Sequence, residues 1–373
     1  MRKTLVGTTA LIAASLAMSG AANAQDEGIQ LGVGGYMNNF FAFGENESDT
    51  RIDDNETGHF SDGEIHFTGE YTLDNGITVG ANVQLESFSS GDQIDENYAY
   101  VEGSFGRVQL GSENTAAYLM QYAAPNVGTP VNSGWVTSFV APDANYSGGA
   151  GSQFRHPGGS TFGDFGNDEN TVTYFTPRFA GFQVGASYQP TLTGAGDGAN
   201  FPTNRQGAEG NDGASIGANY VNSFNGFDIA LAAGYRTVID QNNAVFGDEP
   251  EMYSAGINLG YGGFTIGGSW LGQDSEGPGG APTVNDGNGF DVGISYSTGP
   301  WSVGTMAFYS ETENPGFNGD DEYQAYQVGL AYTLGTGVEA SVSGLYAKYE
   351  GGTGNVGTET DGLQVISGLA LSF

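Results

Sequence analysis

Residues 64–86 read EIHFTGEYTLDNGITVGANVQLE. Ile65, Phe67, Tyr71 and Leu73 alternate with Glu64, His66, Thr68, Glu70 and Thr72. Beyond Asp74-Asn75-Gly76, Ile77, Val79, Ala81, Val83 and Leu85 alternate with Thr78, Gly80, Asn82, Gln84 and Glu86. Successive strand residues point to opposite faces, so each strand has one apolar face and one polar or small face. An Asn-Gly step between two such runs predicts a tight hairpin. The unit of strand, Tyr, short turn and strand recurs, with turns after Tyr71, Tyr100, Tyr174, Tyr220, Tyr261, Tyr296 and Tyr332. An aromatic at one height beside every short turn is what a barrel needs where lipid gives way to water.

The later hairpins repeat the pattern. Phe227, Ile229, Leu231, Ala233 and Tyr235 share one face, as do Trp301, Val303, Thr305, Ala307 and Tyr309. Strands leaving the short turns tend to end their apolar face in a second aromatic: Tyr188, Tyr235, Trp270, Tyr309 and Tyr346. At ~3.3 Å per residue and a tilt near ~40°, the two aromatic levels lie roughly 20 Å apart, close to the ~25 Å apolar band of a membrane barrel. Sixteen strands follow: one over about Ile29 to Phe43, seven hairpins, and a last strand over Leu363 to Phe373. Short turns and long segments alternate throughout, which places both ends of the barrel on the short-turn side, the periplasmic one. A soluble sandwich also alternates, but it need not sort short and long loops to opposite ends or carry two aromatic belts.

Composition sets the limits. The chain has 373 residues, no Cys and a net charge of −34. Arg2 and Lys3, an apolar run over Leu5 to Met18 and the Ala22-Asn23-Ala24 triplet read as a signal peptide cleaved after Ala24. Residues 1–24 are then set apart from a single barrel domain, 25–373, and loss of the two basic residues takes the charge from −34 to −36. No other stretch is apolar for the ~20 residues of a spanning helix. The remaining basic residues, Arg51, Arg107, Arg155, Arg178, Arg205, Arg236 and Lys348, form no stripe, which excludes nucleic acid as a partner.

With these features the chain resembles the Gram-negative general porins. The residues carrying the resemblance are the signal peptide, the strand count, FGRVQLGSEN (residues 105–114) before the longest segment, and a last strand ending Leu369-Ala370-Leu371-Ser372-Phe373. The resemblance implies an all-β, 16-stranded antiparallel transmembrane barrel in the outer membrane, with short periplasmic turns and long extracellular loops. It also implies a homotrimer set in lipid and lipopolysaccharide, a terminal Phe373 read by the barrel-assembly machinery, and a third loop, 112–170, folded inward to constrict the channel. A long structureless segment inside a compact domain is improbable without such a task.

In many relatives that loop presents acids to a ladder of arginines. Here it offers Glu113, Asp143, Asp164, Asp168 and Glu169. The inward face of the wall offers only Arg107 and Arg236, against His66, Glu64, Glu70, Glu86, Asp228 and Glu339, because Lys348 falls on the outward register with Val342 and Tyr346. A lumen with this excess of carboxylates concentrates cations and repels anions. The acids of the long segments also suit Ca²⁺ or Mg²⁺, although no EF-hand spacing exists and no other cofactor is expected.

Two catalytic patterns fail on context. Gly213-Ala214-Ser215-Ile216-Gly217 lacks a later His and a following helix, and the Gly352–Gly357 match to G-x-G-x-x-G leads into a strand. The sequence therefore predicts no enzyme but a passive diffusion channel for small hydrophilic solutes, cation-preferring, since sixteen strands enclose an aqueous lumen. The competing expectation is a substrate-specific channel, for instance for sugars, kept open by Trp135, Tyr146 and Phe154 in the third loop.

Overall fold

The computed structural model describes residues 28–48, 56–88, 94–142, 159–166, 168–192, 211–239, 248–276, 286–313, 320–351 and 359–373. Ala24, Asp143, Tyr146, Phe154 and the Gly352–Gly357 match lie outside them, as do some acids of the long segments, among them Asp49, Asp53 and Asp54. Sixteen strands close into one antiparallel barrel. They are β1 (Gln30–Ser48), β2 (Thr57–Thr72), β3 (Thr78–Glu86), β4 (Asn97–Gly103), β5 (Gly106–Ser112), β6 (Asn170–Phe175), β7 (Phe182–Leu192), β8 (Asn211–Phe224), β9 (Phe227–Val238), β10 (Asp248–Tyr261), β11 (Phe264–Glu276), β12 (Gly287–Thr298), β13 (Trp301–Glu313), β14 (Asp320–Gly335), β15 (Val338–Glu350) and β16 (Thr360–Ser372). Each strand pairs with its sequence neighbours, and β1 with β16 joins the seam from Tyr36↔Ser372 to Ser48↔Thr360.

The alternating register sorts the two faces as expected except at Tyr100, which the sequence pattern assigns to the aromatic belt and which is instead buried on the inner face under Arg107. Phe67, Leu110, Ile216, Leu231, Ile257, Ile294, Val328 and Val365 are exposed on the outside, whereas Gln84, Gln109, Ser215, Asn258, Ser269 and Gln327 are buried inside. The Tyr that ends one strand sits opposite the aromatic that begins a neighbour: Phe182 against Tyr220, Phe227 against Tyr261, Phe264 against Tyr296 and Trp301 against Tyr332, with centroids 4.3–4.6 Å apart. Such cross-strand pairs contribute roughly 0.2–1 kcal/mol each and make the belt a register lock as well as a lipid anchor. At the opposite rim, Tyr188 bonds Asp212, and Tyr235 and Tyr253 both bond Glu251, each at 2.6 Å. Lys348 is outward, bridging Glu350 at 2.8 Å and Glu359 at 2.9 Å.

Two boundaries differ from the sequence reading. β1 continues five residues past Phe43 to Ser48, and β16 begins at Thr360 rather than Leu363. Hydrophobic alternation stops where lipid stops, but backbone hydrogen bonding continues above it, pairing Glu45, Asn46 and Glu47 with Leu363, Gly362 and Asp361. The wall is also uneven. β4 and β5 have seven residues each and β6 has six, against 11 to 19 for β7 to β16 and β1.

The segment between β5 and β6 lies inside the barrel. It begins with a single helical turn, α1 (Ala116–Leu119), and includes a 3₁₀ turn over Gly134–Ser138. Its path follows the inner wall strand by strand. Ala116 lies over Gly217 of β8, Ala117 over Gly234 of β9, Tyr122 over Gly256 of β10, Pro125 over Gly293 of β12, Val127 over Gly304 of β13 and Gly329 of β14, and Val140 over Gly362 of β16. A Cβ on Gly217 would sit 2.7 Å from the Ala116 carbonyl oxygen, and one on Gly304 would sit 2.8 Å from a Val127 methyl. Those glycines form a groove that only a wall without side chains can provide. At the far end Phe40 and Phe60 of the wall pack with Trp135 and Phe139, centroids 5.3–6.4 Å apart.

The groove is testable without reference to function. Gly256→Leu places a side chain where the Tyr122 carbonyl now lies. The barrel should still fold, seen as heat-modifiable gel migration, while residues 116–132 become cleavable by protease. Unchanged protection of that segment would show that the groove does not position it.

Candidate functional site

An irregular segment at membrane depth must find partners for its backbone polar groups, because lipid and a packed wall supply no water. The wall supplies them from successive strands. Ser187 Oγ accepts from Ala116 N–H at 2.8 Å, Asn219 Nδ2 donates to Met120 O at 3.4 Å, and Asn258 Nδ2 donates to Ala123 O at 2.8 Å. Gln327 Nε2 donates to Val127 O, Ser343 Oγ accepts from Thr129 N–H at 3.0 Å, and Asn46 Nδ2 donates to Phe139 O at 3.2 Å.

The central clamp is Asp291 on β12. Its carboxylate is buried and accepts from Ala124 N–H, with both oxygens at 3.3 Å, from Ser269 Oγ at 2.8 Å and from Asn132 Nδ2. Asn132 also bonds Thr161 through Nδ2, at 2.7 Å, and Oδ1, at 2.7 Å, so one wall carboxylate ties the outgoing limb of the segment to the returning limb. The sequence reading passed over Asp291 because one inward acid on a strand resembles any solvated lining residue.

Of the predicted lumen residues, Arg236 is 1% exposed and lies beneath the returning limb, its Nε 4.0 Å from Asp164 Oδ1 and its Nη1 donating to Ser254 Oγ at 3.3 Å. Asp164, Asp168, Glu169 and Glu113 are likewise buried, at the root of the internal segment rather than along an open channel. Asp164 caps Thr115 N–H at 2.9 Å, and Asn114 joins Glu113 and Asp168 through its own N–H at 2.9 Å and its Nδ2 at 3.0 Å. Burial holds the Asp164 carboxyl above the usual range against the pull of Arg236, and pushes Glu113 up to about 7. Glu96, just before β4, is raised well above the usual range by burial first and then by Glu113, Asp95 and Asp168.

The described part of the internal segment runs along the wall from β7 round to β16 and on to Phe40 of β1 and Phe60 of β2, and it leaves the inner face of β3 to β5 and the turn-side half of β2 to the lumen. There Glu64 is half-buried, accepting from Tyr36 OH at 2.7 Å and paired with His66 Nε2 at 2.8 Å. Glu86 sits directly across from Glu64, and exposed Glu70 accepts from Tyr100 OH at 2.6 Å. Arg107 stacks on Tyr100, 3.9 Å from the ring centroid, and faces Glu102 at 3.8 Å. Arg178 was not singled out from the sequence, since a turn residue has no register. Its guanidinium reaches the inner wall at Asn219 Oδ1, 2.8 Å away.

Removing the clamp should loosen the segment. Asp291→Ala removes the acceptor of the buried Ala124 N–H and of one N–H of the Asn132 amide, whose other N–H keeps Thr161, a penalty of about 2 kcal/mol or more. Hydrogen exchange of peptides covering residues 118–132 should accelerate about 30-fold, the equivalent of ~2 kcal/mol, with strand peptides unchanged. Exchange equal to the parent would remove Asp291 from this role.

The model of the family described as Gram-negative porin matches residues 7–363. Among solved structures the chain is similar to a refined porin, with TM-score 0.56 and 16% identity over 92% of this chain and all of that one. A loop-deletion form of OmpT from Vibrio cholerae gives 0.59 and 14% over 93% of this chain and all of that one. A variant of the Rhodopseudomonas blastica porin gives 0.54 and 18% over 92% of this chain and all of that one. An uncharacterized protein of Rickettsia prowazekii is 25% identical over 234 residues, 58% of this chain, and the chain spans only 50% of its length. The matched family and the closed sixteen-stranded barrel agree, and the chain belongs to the Gram-negative porin family.

Proposed function

We propose that the protein forms a water-filled channel across the outer membrane, through which small hydrophilic solutes and ions diffuse passively with a preference for cations. The observation that carries this reading is the polar inner face of β3 to β5 and of the turn-side half of β2, which the described part of the internal segment leaves uncovered. Among the described residues, Glu64, Glu70 and Glu102 lie there with Arg107, which faces Glu102. Carboxylate excess in a narrow, low-dielectric passage raises the local concentration of cations. The acids at the root of the internal segment, Glu113, Asp164, Asp168 and Glu169, add to that field from behind the surface.

The low wall supports a homotrimer. Seven residues at ~3.3 Å and a ~40° tilt rise roughly 18 Å, short of a ~25 Å apolar band. A second copy against β3 to β6 would shield that side from lipid, and a form of the V. cholerae OmpT is described as a trimer. The signal peptide ending at Ala24, periplasmic short turns and lipopolysaccharide contacts at the acidic rim belong to the same reading.

A substrate-specific channel is the second reading, and an internal aromatic set favours it. Tyr98 and Tyr100 flank Arg107 on the uncovered wall, and Trp135 is half-buried on the internal segment. Planar-bilayer recording separates the two. Ohmic conductance in steps of three, a cation-selective reversal potential in a salt gradient, and no block by sugars are expected. Arg107→Gln should move the reversal potential further toward the cation limit. Anion selectivity would overturn the charge assignment, and sugar block at micromolar to millimolar concentration would favour the specific channel.

A further inference from the structure

At the root of the internal segment, oxygen ligands converge from three separate pieces of chain. Glu64 comes from β2, and Asp95 and Glu96 come from the stretch just before β4. That stretch is laddered onto β3, with Asp95 N–H donating to Gln84 O at 3.1 Å and Gln84 N–H to Glu96 O at 2.8 Å. Asn114 follows directly on β5. One carboxylate oxygen from each of Glu64, Asp95 and Glu96 lies within 4.8 Å of the other two. Two oxygens bound to one Ca²⁺ at ~2.4 Å are at most about 4.8 Å apart, whereas the ~2.1 Å bonds of Mg²⁺ require a tighter set.

Two buried oxygens, one on Glu96 of this cluster and one on neighbouring Asn114, point to a missing ligand. Glu96 is 9% exposed, and its Oε2 is buried with no hydrogen-bond partner. Asn114 is 7% exposed. Its Nδ2 reaches Glu96 Oε1 at 3.5 Å and Asp168 Oδ1 at 3.0 Å, while its Oδ1 is buried with no partner. An ionised carboxylate and an amide oxygen only accept, so with Glu96 ionised neither can satisfy the other. Leaving both buried costs free energy that a cation would remove. Glu64 keeps a spare lone pair on each oxygen beside its bonds to Tyr36 and His66, and its half-buried position opens the cluster to the lumen.

We propose that Glu64, Asp95, Glu96 and the Asn114 side-chain oxygen form a calcium site that fastens the root of the internal segment to β2 and β3. Water reaching it from the lumen completes the six to eight oxygens that Ca²⁺ takes. Binding itself is independent of the channel reading. The consequence for conduction rests on that reading: a dication beside Glu64 lowers the cation preference of the lumen.

Tb³⁺ is the probe. With Tyr36 and Tyr98 nearby, Tb³⁺ added to the detergent-folded, calcium-stripped protein should show tyrosine-sensitised luminescence that Ca²⁺ displaces. Its tightest class of sites should weaken at least tenfold in Glu96→Gln and in Asn114→Ala, with no change in the rim variant Glu251→Gln. Heat-modifiable migration on gels checks folding, and either inner variant that folds decides. A Tb³⁺ anomalous peak in crystals of the parent decides without any variant. Unaltered affinity in a folded inner variant, or no peak among these residues, would overturn the site. Millimolar Ca²⁺ should also shift the parent's reversal potential toward zero but not that of Glu96→Gln. Tb³⁺ binding without this shift retains the site and rejects its effect on conduction.

Discussion

The dominant constraint on this molecule is that a long, largely irregular segment runs inside a closed barrel, where every amide and carbonyl needs a partner. Regular strands satisfy their own ladder, so the burden falls on inward side chains of the wall. Ser187, Asn219, Asn258, Asp291, Gln327 and Ser343 each reach one backbone group of the segment. Between them, glycines remove the side chains that would hold the segment off the wall. The two devices are complementary. Glycine permits close approach, and the neighbouring amide or hydroxyl converts that approach into hydrogen bonds.

This arrangement also settles the electrostatics. Arg236 and Asp164 are taken out of the aqueous passage and face each other beneath the returning limb. Glu113 and Asp168 are drawn into the root together with Asn114. The charges left to the lumen are those on the strands the segment does not cover, Glu64, Glu70 and Arg107, with Arg178 reaching in from a turn. Packing of the segment and character of the passage are therefore one problem: moving the segment would uncover a different set of charges.

Much of this was legible in the sequence. Period-2 alternation and a Tyr before each short turn are enough to count strands, to face most strand residues inward or outward, and to put Lys348 on the outside. The inner glycines were legible only as small residues on the polar face, since nothing in a strand pattern says which of them meets another segment. Asp291 and Asn114 were not legible at all. Their roles come from contacts spanning 167 and 18 residues in sequence, fixed by a loop path that no local periodicity encodes. The inward Tyr98 and Tyr100 were hidden for a related reason: they sit on the face that alternation reserves for polar groups, and only the stacked Arg107 explains them there.

The central claim is that the segment lies in the glycine groove as far as β16, and the absence of native cysteine makes it directly measurable. A Cβ at Gly362 would lie 3.0 Å from both methyl carbons of Val140, close to the spacing a disulfide needs. Val140→Cys combined with Gly362→Cys should oxidise to a single linked peptide pair by mass spectrometry, with barrel folding preserved. A correctly folded double variant whose two thiols remain free under the same oxidation would contradict the account.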